Sequence, residues 1–423
     1  MITSSILLAG LLAGQVGASG DSLELEVRRL VRQLDAPQLA EREQAEKRLV
    51  ELGPDVLDRL PPITDRTPAE IRQRLGRVRF QLERALAELV VRGSRVTLSG
   101  AALPLGKVLA ALEEQTGNSI AGGRFDRPDA PQPVLSVDFD DSLFWPALDE
   151  VADKAGLTID PYAVEGAIQL APRVGEPRPR REAAAYSGPF RFEPVRIEAI
   201  RDLRDPAGQS LRLTLEVAWE PRLAPITLQQ RMADVRAIDA EGNPLPVDSR
   251  QAQLEVPVRP DSIAVPLVIP LALPGRDVTR IARLEGSLSV LVPGKIETFR
   301  FDNLEGAENV EKRAAGVTVF LDKVRKNNSI WEVLVRVRFD AAAGALASHR
   351  NWIYENEAHL ENPQAEPVPF DAFETTRQTE NEVGMAYLFA IDDPLAGYQF
   401  VYKTPGLILS RTIDYQIEDV PLP

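Results

Sequence analysis

The sequence predicts a multi-domain protein that combines α+β and all-β units, and three patterns support this prediction. Roughly the first 90 residues repeat apolar side chains at helical spacing. Residues 94–172 contain an internal repeat of strand and helix, and the chain beyond residue 185 alternates apolar and polar residues with the period of a β-strand. At 423 residues the chain also exceeds one ordinary domain.

The N-terminal segment, residues 19–92, is predicted to be helical, with a break at Gly53-Pro54. Thr67 and Glu70 have the spacing of a capping box at the start of a third helix. The predicted buried stripes are Leu23, Val27, Leu30 and Leu34, then Ala45, Leu49 and Leu52, then Val56, Leu57 and Leu60, and finally Ile71, Leu75, Val78, Leu82 and Leu89.

Residues 30–61 (LVRQLDAPQLAEREQAEKRLVELGPDVLDRLP) resemble a degenerate HEAT-type helical repeat. The resemblance rests on the turn at Asp35, the amphipathic helix that ends near Leu49, and the break at Gly53-Pro54. Because one helix pair cannot bury its own apolar face, we expect it to pack on the third helix or on the next domain. A coiled-coil partner is the alternative.

The internal repeat within residues 94–172 aligns without a gap at a constant offset of 39 residues. Each copy is predicted to form a strand, a short amphipathic helix, a glycine at the helix C-terminus and a second strand. The matched pairs are Leu109 and Leu148, Leu112 and Val151, Gly117 and Gly156, and Ile120 and Ile159.

Each copy resembles the small βαβ-type unit at the N-terminus of secretins and of TonB-dependent receptors. The resemblance is carried by LPLGKVLAALEEQTGNSI, residues 103–120, and by its counterpart at residues 143–159. In that family the unit is a protein–protein docking module, so the resemblance implies tandem docking units rather than a catalyst.

Residues 173–184, which include RVGEPRPRRE, are predicted to be a stiff, Pro-rich linker. The rest of the chain is predicted to form two tandem antiparallel β-sandwich domains with immunoglobulin-like architecture, residues 185–306 and 313–423. Two alternating strands, at residues 211–219 and 333–339, mark a second internal repeat at an offset of 120.

Two Pro-Gly pairs in the sandwich region, Pro293-Gly294 and Pro405-Gly406, occupy similar places in the two copies of this repeat. Because proline and glycine favour tight turns, each pair is predicted to be a turn that leads into a terminal strand.

Residues 1–18 resemble a secretory signal peptide. Residues 6–12 form a short apolar core, and Val16-Gly17-Ala18 suits cleavage after Ala18. No Lys or Arg precedes the core, so either the true start lies upstream or the signal is weak. No later segment is long and apolar enough to span a bilayer. We therefore expect a protein that is periplasmic or otherwise exported and has no integral membrane span.

The composition narrows the possible chemistry. The absence of cysteine excludes disulfides, thiolate metal sites and cysteine nucleophiles. A net charge of −14 argues against a nucleic-acid partner. Residues 351–423 hold 13 Asp and Glu against 3 Lys and Arg, which most simply makes a solvated acidic surface.

Histidines offer little support for catalysis or metal binding. Only His349 and His359 occur, and a metal site would need a third ligand such as Glu355, Glu357 or Glu361. Their spacing favours ordinary loop and strand-end positions. Neither a nucleophile elbow nor a phosphate-binding P-loop is present, and Gly106-Lys107 lacks the other residues of the P-loop.

Paired carboxylates and tryptophans are the remaining candidates. Two acidic groups, Asp138 with Asp140 and Asp141, and Asp392 with Asp393, could serve a glycosidase or bind calcium, but solvated turns are the commoner role. Trp219 and Trp331 are predicted to fill cores and Trp145 to begin a helix, which leaves Trp352 as a candidate for surface contact.

The sequence therefore predicts a non-enzymatic bacterial envelope protein that acts as an adaptor or structural module for protein partners of unknown identity. It predicts no catalytic, cofactor-binding or metal-binding residue. Two alternatives stay open: an accessory component of a periplasmic secretion or uptake complex, and a carboxylate-dependent hydrolase with two acidic side chains in a concave site.

Overall fold

A computed structural model describes residues 15–61, 63, 67–121, 132–173, 175, 179–204, 209–248, 252–259, 262–340, 345–346 and 352–423. Residues 1–14 of the predicted signal segment, residues 174 and 176–178 of the predicted linker, and His349 lie outside these ranges. Strands account for 49% of the structure and helices for 23%, arranged in several sheets. The coarse prediction of a mixed α+β and all-β protein is confirmed.

The N-terminal segment is helical and has its own core. Its elements are α1 (Gln15–Gln33), α2 (Leu39–Glu51), a 3₁₀ helix (Pro54–Arg59) and α3 (Ala69–Val90). The buried core contains Val27, Leu30, Leu34, Ala45, Leu49, Val56, Leu60, Leu75, Val78 and Leu82. Leu89 departs from the predicted stripe, since it is 43% exposed. It lies on the last turn of α3, a helix that contacts α2 and the 3₁₀ helix.

The start of α3 differs from the prediction. The helix begins at Ala69 with Pro68 in the N-cap position, and no side chain caps it. Glu70 instead accepts a hydrogen bond of 2.6 Å from Arg74, one turn later on the same helix. The predicted capping box of Thr67 and Glu70 is therefore wrong, since the helix begins one residue later than the box requires and no side chain caps it.

Residues 94–172, called the βαβ region here, form two small sheets around one core. Its elements are β1 (Arg95–Pro104), α4 (Leu105–Thr116), β2 (Ile120–Ala121), β3 (Val134–Leu143), α5 (Phe144–Ala155), β4 (Leu157–Val164) and β5 (Ala167–Pro172). Strands β1 and β3 pair antiparallel, while β5 pairs parallel with β2 and antiparallel with β4. Both helices pack into the same hydrophobic cluster, so the two copies of the repeat share one core.

The repeat of 39 residues is also visible in the backbone. Gly117 and Gly156 end their helices in the left-handed region, at φ of +69° and +67°. Ala102 and Asp141, again 39 residues apart, have φ of +57° and +47° and lie at the two bulges of the β1–β3 pair. One bulge lies on β1 and the other at the matching position of β3. The two copies of the repeat are therefore related by a local pseudo-two-fold axis.

The remaining strands build three antiparallel sheets. They are β6 (Ala185–Ser187), β7 (Phe190–Ile200), β8 (Ser210–Trp219), β9 (Thr227–Arg231), β10 (Arg236–Ile238), β11 (Pro244–Leu245), β12 (Gln253–Pro257), β13 (Ala264–Leu271), β14 (Arg280–Phe301), β15 (Glu308–Ala314), β16 (Val317–Asn327), β17 (Ile330–Phe339), β18 (Ala358–Glu361), β19 (Pro367–Pro369), β20 (Ala372–Gln378), β21 (Glu382–Phe389) and β22 (Gln399–Pro421).

A central eight-stranded sheet runs in the order β11-β10-β14-β22-β18-β19; β9 also pairs with β14, and β12 pairs with β9. A four-stranded sheet, β13-β8-β7-β6, packs on one half of it, and a five-stranded sheet, β15-β16-β17-β21-β20, packs on the other half. The two resulting packed layers are called the first and second sandwich here. The repeat of 120 residues is confirmed, since β8 and β17 begin and end 120 residues apart.

The two sandwiches share strands. Strand β14 pairs with β22 from Arg280↔Pro421 to Phe301↔Phe400, a ribbon that crosses both sandwiches. Phe299 and Phe301 of β14 belong to the core of the second sandwich. The core of the first sandwich includes three residues from the last strand of the chain, Tyr415, Ile417 and Val420.

The Pro-Gly pairs lie inside this ribbon and are not turns. Pro293 faces Ile408, and Ile296 faces Pro405, so the two P-G-x-I segments pair with each other in opposite directions. The prediction of two turns is therefore wrong. Both pairs lie where the ribbon passes from one sandwich to the other, and the pairing of the two long strands continues on both sides of them.

The described part of the predicted linker includes a short helix, α6 (Arg180–Ala183), that contacts α5. The end of α3 contacts β14 and β22, and Glu88 lies 3.3 Å from Arg411 in an ion pair. The helical segment and the βαβ region therefore both contact the sandwiches.

Candidate functional site

The acidic group at residues 138–141 lies on the exposed side of the β1–β3 pair. Asp138 accepts a hydrogen bond of 2.5 Å from Ser99, and Asp141 forms an ion pair of 2.8 Å with Arg95. Asp141 has the positive φ of the bulge, and its N–H donates to Thr97 Oγ1. These contacts give two of the aspartates a role in the β1–β3 pairing.

Asp392 and Asp393 are exposed residues of a loop. Their backbone carbonyls accept hydrogen bonds from Lys326 Nζ at 2.8 Å and from Trp331 Nε1 at 3.1 Å. The two acidic groups thus belong to different sheets, since one lies in the βαβ region and the other follows β21.

His359 lies on β18, between Glu357, which directly precedes the strand, and Glu361, which ends it. Its ring nitrogens are 3.4 Å from Glu357 and 3.6 Å from Glu361. Lys403 binds Glu357 at 2.8 Å, and a hydrogen bond from Arg300 holds the pKa of Glu361 below its ordinary value. Among the residues that the structure describes, no three His, Asp or Glu side chains are arranged to hold a metal ion.

The tryptophans pack inside the molecule. Trp219 and Trp331 belong to the two sandwich cores, as predicted. Trp145 is 1% exposed and donates to Pro189 O at 2.9 Å. Trp352 is partly buried, packs edge-on against Phe339 and donates to a backbone carbonyl, so it is a packing residue rather than an open surface platform.

The charged groups with the deepest burial join the βαβ region to the first sandwich. Asp149 on α5 and Arg191 on β7 are both 0% exposed. Arg191 Nε donates to Asp149 Oδ2 at 2.8 Å, and Tyr186 Oη donates to the same oxygen at 2.6 Å. Glu193 lies 2.7 Å from Arg191 on its other side. We call these four residues the arginine junction.

Arg191 keeps its charge within the arginine junction. Burial opposes the charge on Arg191, but Asp149 and Glu193 outweigh it and raise the pKa of the guanidinium. Burial, reinforced by Asp149, raises the pKa of the Tyr186 hydroxyl, so it stays protonated and keeps donating. A buried pair of this kind holds two elements together in one arrangement, because separating it leaves an unpaired charge in the interior.

A second junction surrounds Glu220, which is 0% exposed at the end of β8. Its carboxylate accepts from Ser94 N at 2.8 Å, Ser94 Oγ at 2.6 Å and Asn118 Nδ2 at 3.1 Å, all from the βαβ region. Arg222 Nε donates to it at 2.6 Å. We call these four residues the glutamate junction.

The two junctions lie at one end of the four-stranded sheet, and only this end is buried on both faces. One face packs on the core of the first sandwich, while Ala218 and Ala264 on the other face pack into the core of the βαβ region. Sequence reasoning missed both junctions. The four buried residues Phe190, Arg191, Phe192 and Glu193 alternate apolar and charged side chains, which is also the pattern of a strand with one solvent-exposed face.

Two concave surfaces near these junctions are lined in part by β22. One part, about 820 Å³, is lined by Ala185, Tyr186, Arg231, Ala233, Asp234, Arg236, Glu285, Gly286, Ser287, Ser289, Thr412, Asp414, Tyr415 and Gln416. A second part, about 530 Å³, is lined by Ala183, Glu193, Pro194, Val195, Arg196, Ile197, Glu418, Asp419, Val420 and Pro421. We call the two parts together the β22 groove.

Comparison with protein families, curated proteins and solved structures finds no match to the chain. In the described part of the chain, no helix is long and apolar enough to cross a membrane. The two junctions and the β22 groove are the features of the molecule that bear on its function.

Proposed function

We propose that this protein is a non-catalytic, exported component of the bacterial cell envelope that acts as a rigid protein-binding scaffold. The observation that carries the proposal is the arginine junction, which ties the βαβ region to the first sandwich through charges that are 0% exposed. A scaffold joined in this way presents its binding surfaces at fixed distances from one another.

Three further features support the proposal. The βαβ region resembles a docking module, the N-terminal segment resembles a signal peptide, and the β14–β22 ribbon crosses both sandwiches. An immunoglobulin-like architecture of the sandwiches belongs to the same proposal, since that architecture is common in surface and binding domains. Within it, an accessory role in a secretion or uptake complex is the more specific possibility.

Export is tested by fusing residues 1–92 to alkaline phosphatase, an enzyme that becomes active only outside the bacterial cytoplasm. We expect activity in whole cells, and we expect it to be lost when residues 1–18 are removed. A full-length protein recovered only from the cytoplasm, together with an inactive fusion, would contradict the proposal.

Rigidity is tested by spin labels, and the chain suits this because it has no native cysteine. We place labels at Glu114 of α4 and Glu374 of β20, both exposed. We expect one narrow distance distribution in the parent protein and a broad one after Asp149→Asn with Glu220→Gln. A broad distribution in the parent protein would contradict a rigid scaffold.

A hydrolase remains the alternative, because three carboxylates, Asp234, Glu285 and Asp414, line one part of the β22 groove. It requires a pair of such groups acting on a bound glycan. If the protein releases reducing ends from envelope glycans and Glu285→Gln with Asp414→Asn abolishes this release, the hydrolase replaces the scaffold as the better account.

A further inference from the structure

One edge strand of the second sandwich is uncovered along its whole length. Strand β20 ends the five-stranded sheet, and within the described residues it pairs with β21 and with no other strand. All seven of its residues are exposed. An open strand edge of this kind presents unpaired N–H and C=O groups that a second extended chain can bind.

Several other sheet edges of this protein are protected by proline. Strand β13 carries Pro266 and Pro270, and β19 carries Pro367 and Pro369. Proline removes a backbone donor and blocks the addition of a further strand. Strand β20 contains no proline, so each of its residues has a main-chain N–H group.

The opposite edge of the five-stranded sheet is partly covered by the central sheet. Lys312 on β15 donates to Arg300 O on β14. Its ammonium group also lies 5.3 Å from the centre of the Phe301 ring. The five-stranded sheet thus has one partly covered edge, at β15, and one open edge, at β20.

An aromatic side chain lies on the inner face of the open edge. Phe373 on β20 is 37% exposed. Its ring stacks on Tyr354 with the ring centres 5.7 Å apart, and Phe370 packs against it edge-on. A strand added beside β20 would cover more of this ring, and the burial of apolar surface favours association.

Two opposite charges lie on the outer face of the same strand. Glu374 and Arg377 lie opposite Ala386 and Gly384 of β21, two positions that face away from the sandwich core. In a regular strand, residues three apart point to opposite faces. The bulge that follows Thr375 adds one residue, so it brings both charges to one face.

The order of these charges makes β20 complementary to itself. If two copies pair antiparallel with Glu374 opposite Arg377 of the second copy, two-fold symmetry forms the same pair a second time. This register also places Phe373 opposite Gln378, and both of these face inward. A register centred on Glu374 keeps the faces aligned as well, but it sets two like carboxylates opposite each other, which is unfavourable.

The acidic residues that flank β20 lie outside the paired segment. Asp371 precedes the strand, and its carboxylate accepts a hydrogen bond of 2.7 Å from Ala390 N, on the β21 side of the sheet. Glu380 lies in the turn that follows the strand. The segment that pairs in this register therefore carries one acid and one base from each copy.

We propose that this protein self-associates through β20, so that the five-stranded sheets of two copies join edge to edge in one continuous antiparallel sheet. Main-chain hydrogen bonds supply affinity, and the two pairs of Glu374 with Arg377 fix the register. Because the strand is short, the interface is smaller than that of a permanent complex, and we expect a reversible dimer. The inference goes beyond the proposed scaffold function and does not depend on it.

Sedimentation velocity of the full-length protein over a range of concentrations tests the proposal. We expect a monomer–dimer equilibrium in the parent protein. Glu374→Lys should raise the dimer dissociation constant at least about tenfold, because both charge pairs become repulsive. The matched control is Glu311→Lys, which changes an exposed acid on β15 at the opposite edge and should leave the equilibrium unchanged.

A mixture of two variants separates self-pairing from a loss of folding. Arg377→Glu alone should weaken the dimer as Glu374→Lys does. In a mixed dimer of the two variants, positions 374 and 377 again carry opposite charges in both pairs. We therefore expect the equimolar mixture to dimerise nearly as tightly as the parent protein, although each variant alone does not.

Hydrogen exchange locates the contact. Amide exchange in β20 should slow as the concentration of the parent protein rises, and it should not change with concentration in Glu374→Lys. A protein that stays monomeric at every concentration, a dimer that Glu374→Lys leaves intact, or a mixture no tighter than its components would overturn the inference. A spin label at Glu374 removes its carboxylate, so the distance measurement proposed above reports on the monomer.

Discussion

At the scale of single residues, the most informative feature is the pair of buried charges, Asp149 and Arg191, between the βαβ region and the first sandwich. Asp149 occupies a helix of mixed polarity, and Arg191 lies between two phenylalanines on a strand. Each would be unremarkable on a surface, yet in the fold both are 0% exposed and bind each other at 2.8 Å. Burial makes such a pair sensitive to the loss of either partner, because the remaining charge then lacks both water and a counter-ion.

The substitution Asp149→Asn should lower the free energy of unfolding by about 3–5 kcal/mol, since it leaves Arg191 without its main partner. Urea unfolding measures the change. The matched control is Glu198→Gln, which removes the partner of Arg196 in an exposed pair and should cost less than about 1 kcal/mol. Equal losses in the two variants would contradict the role of the arginine junction.

A second prediction concerns pH. Hydrogen bonds from Arg77 and Arg74 hold the pKa of Glu46 below its ordinary value of 4.5. A carboxylate with a lowered pKa in the folded state stabilises it above the unfolded pKa, and this contribution is lost as the pH falls through the folded pKa. We therefore expect the helical segment to lose stability below pH 4.5.

Glu46→Gln should reduce the stability of the helical segment by about 2 kcal/mol at pH 7 and flatten its decline in acid. Hydrogen exchange of the α2 and α3 amides measures this at pH 7 and at pH 4. Glu43→Gln, an exposed change on the same helix, serves as the control. A decline in acid that is identical in the two variants would exclude Glu46 as the cause.

At the scale of elements, the two internal repeats made much of the fold predictable. A constant offset of 39 matched two helix ends, and the structure places Gly117 and Gly156 in the same left-handed conformation. The offset of 120 matched β8 with β17 to the residue. Such repeats are readable because each copy needs the same buried positions and the same turn chemistry.

The elements that escaped prediction depend on contacts between distant segments. The Pro-Gly pairs were predicted to be turns, because local preference favours turns there, but twenty residues of strand pairing override that preference. The two junctions were not predicted either. The alternation of apolar and polar residues along a strand shows which face of the sheet each side chain lies on, but not whether a second module covers that face. The β22 groove was not predictable for the same reason.

Gly117→Ala and Gly156→Ala should each destabilise the βαβ region by about 1–2 kcal/mol, because alanine disfavours the left-handed conformation. Neither added methyl group would meet a neighbouring atom within 4 Å, so the loss isolates the backbone. Gly76→Ala, within α3 and equally open, should stabilise the helix by about 1 kcal/mol. Thermal unfolding measures the stability of all three variants. Equal losses of stability in the three would show that the left-handed conformation of Gly117 and Gly156 is not the cause.

At the scale of the whole molecule, the central claim is that the two sandwiches are one structure built on a common sheet. A hairpin of two short strands lies on each outer side of the β14–β22 ribbon, β10 with β11 beside β14 and β18 with β19 beside β22. The turns of those hairpins match as well, since Asp239 and Asn362 each accept backbone N–H groups from the second and fourth residues that follow. The last strand of the chain completes the first core, so neither sandwich is complete without the other.

The most direct measurement is the unfolding of a chain that ends at residue 306, which contains the whole of the first predicted sandwich. It lacks Tyr415, Ile417 and Val420 from the first core, and each loss should cost about 2–5 kcal/mol, comparable in sum to the entire stability of a domain. We predict no cooperative urea transition and little hydrogen-exchange protection in β14, with both restored by adding a peptide of residues 399–423. A truncated chain that unfolds cooperatively at the midpoint of the intact protein would contradict the shared sheet.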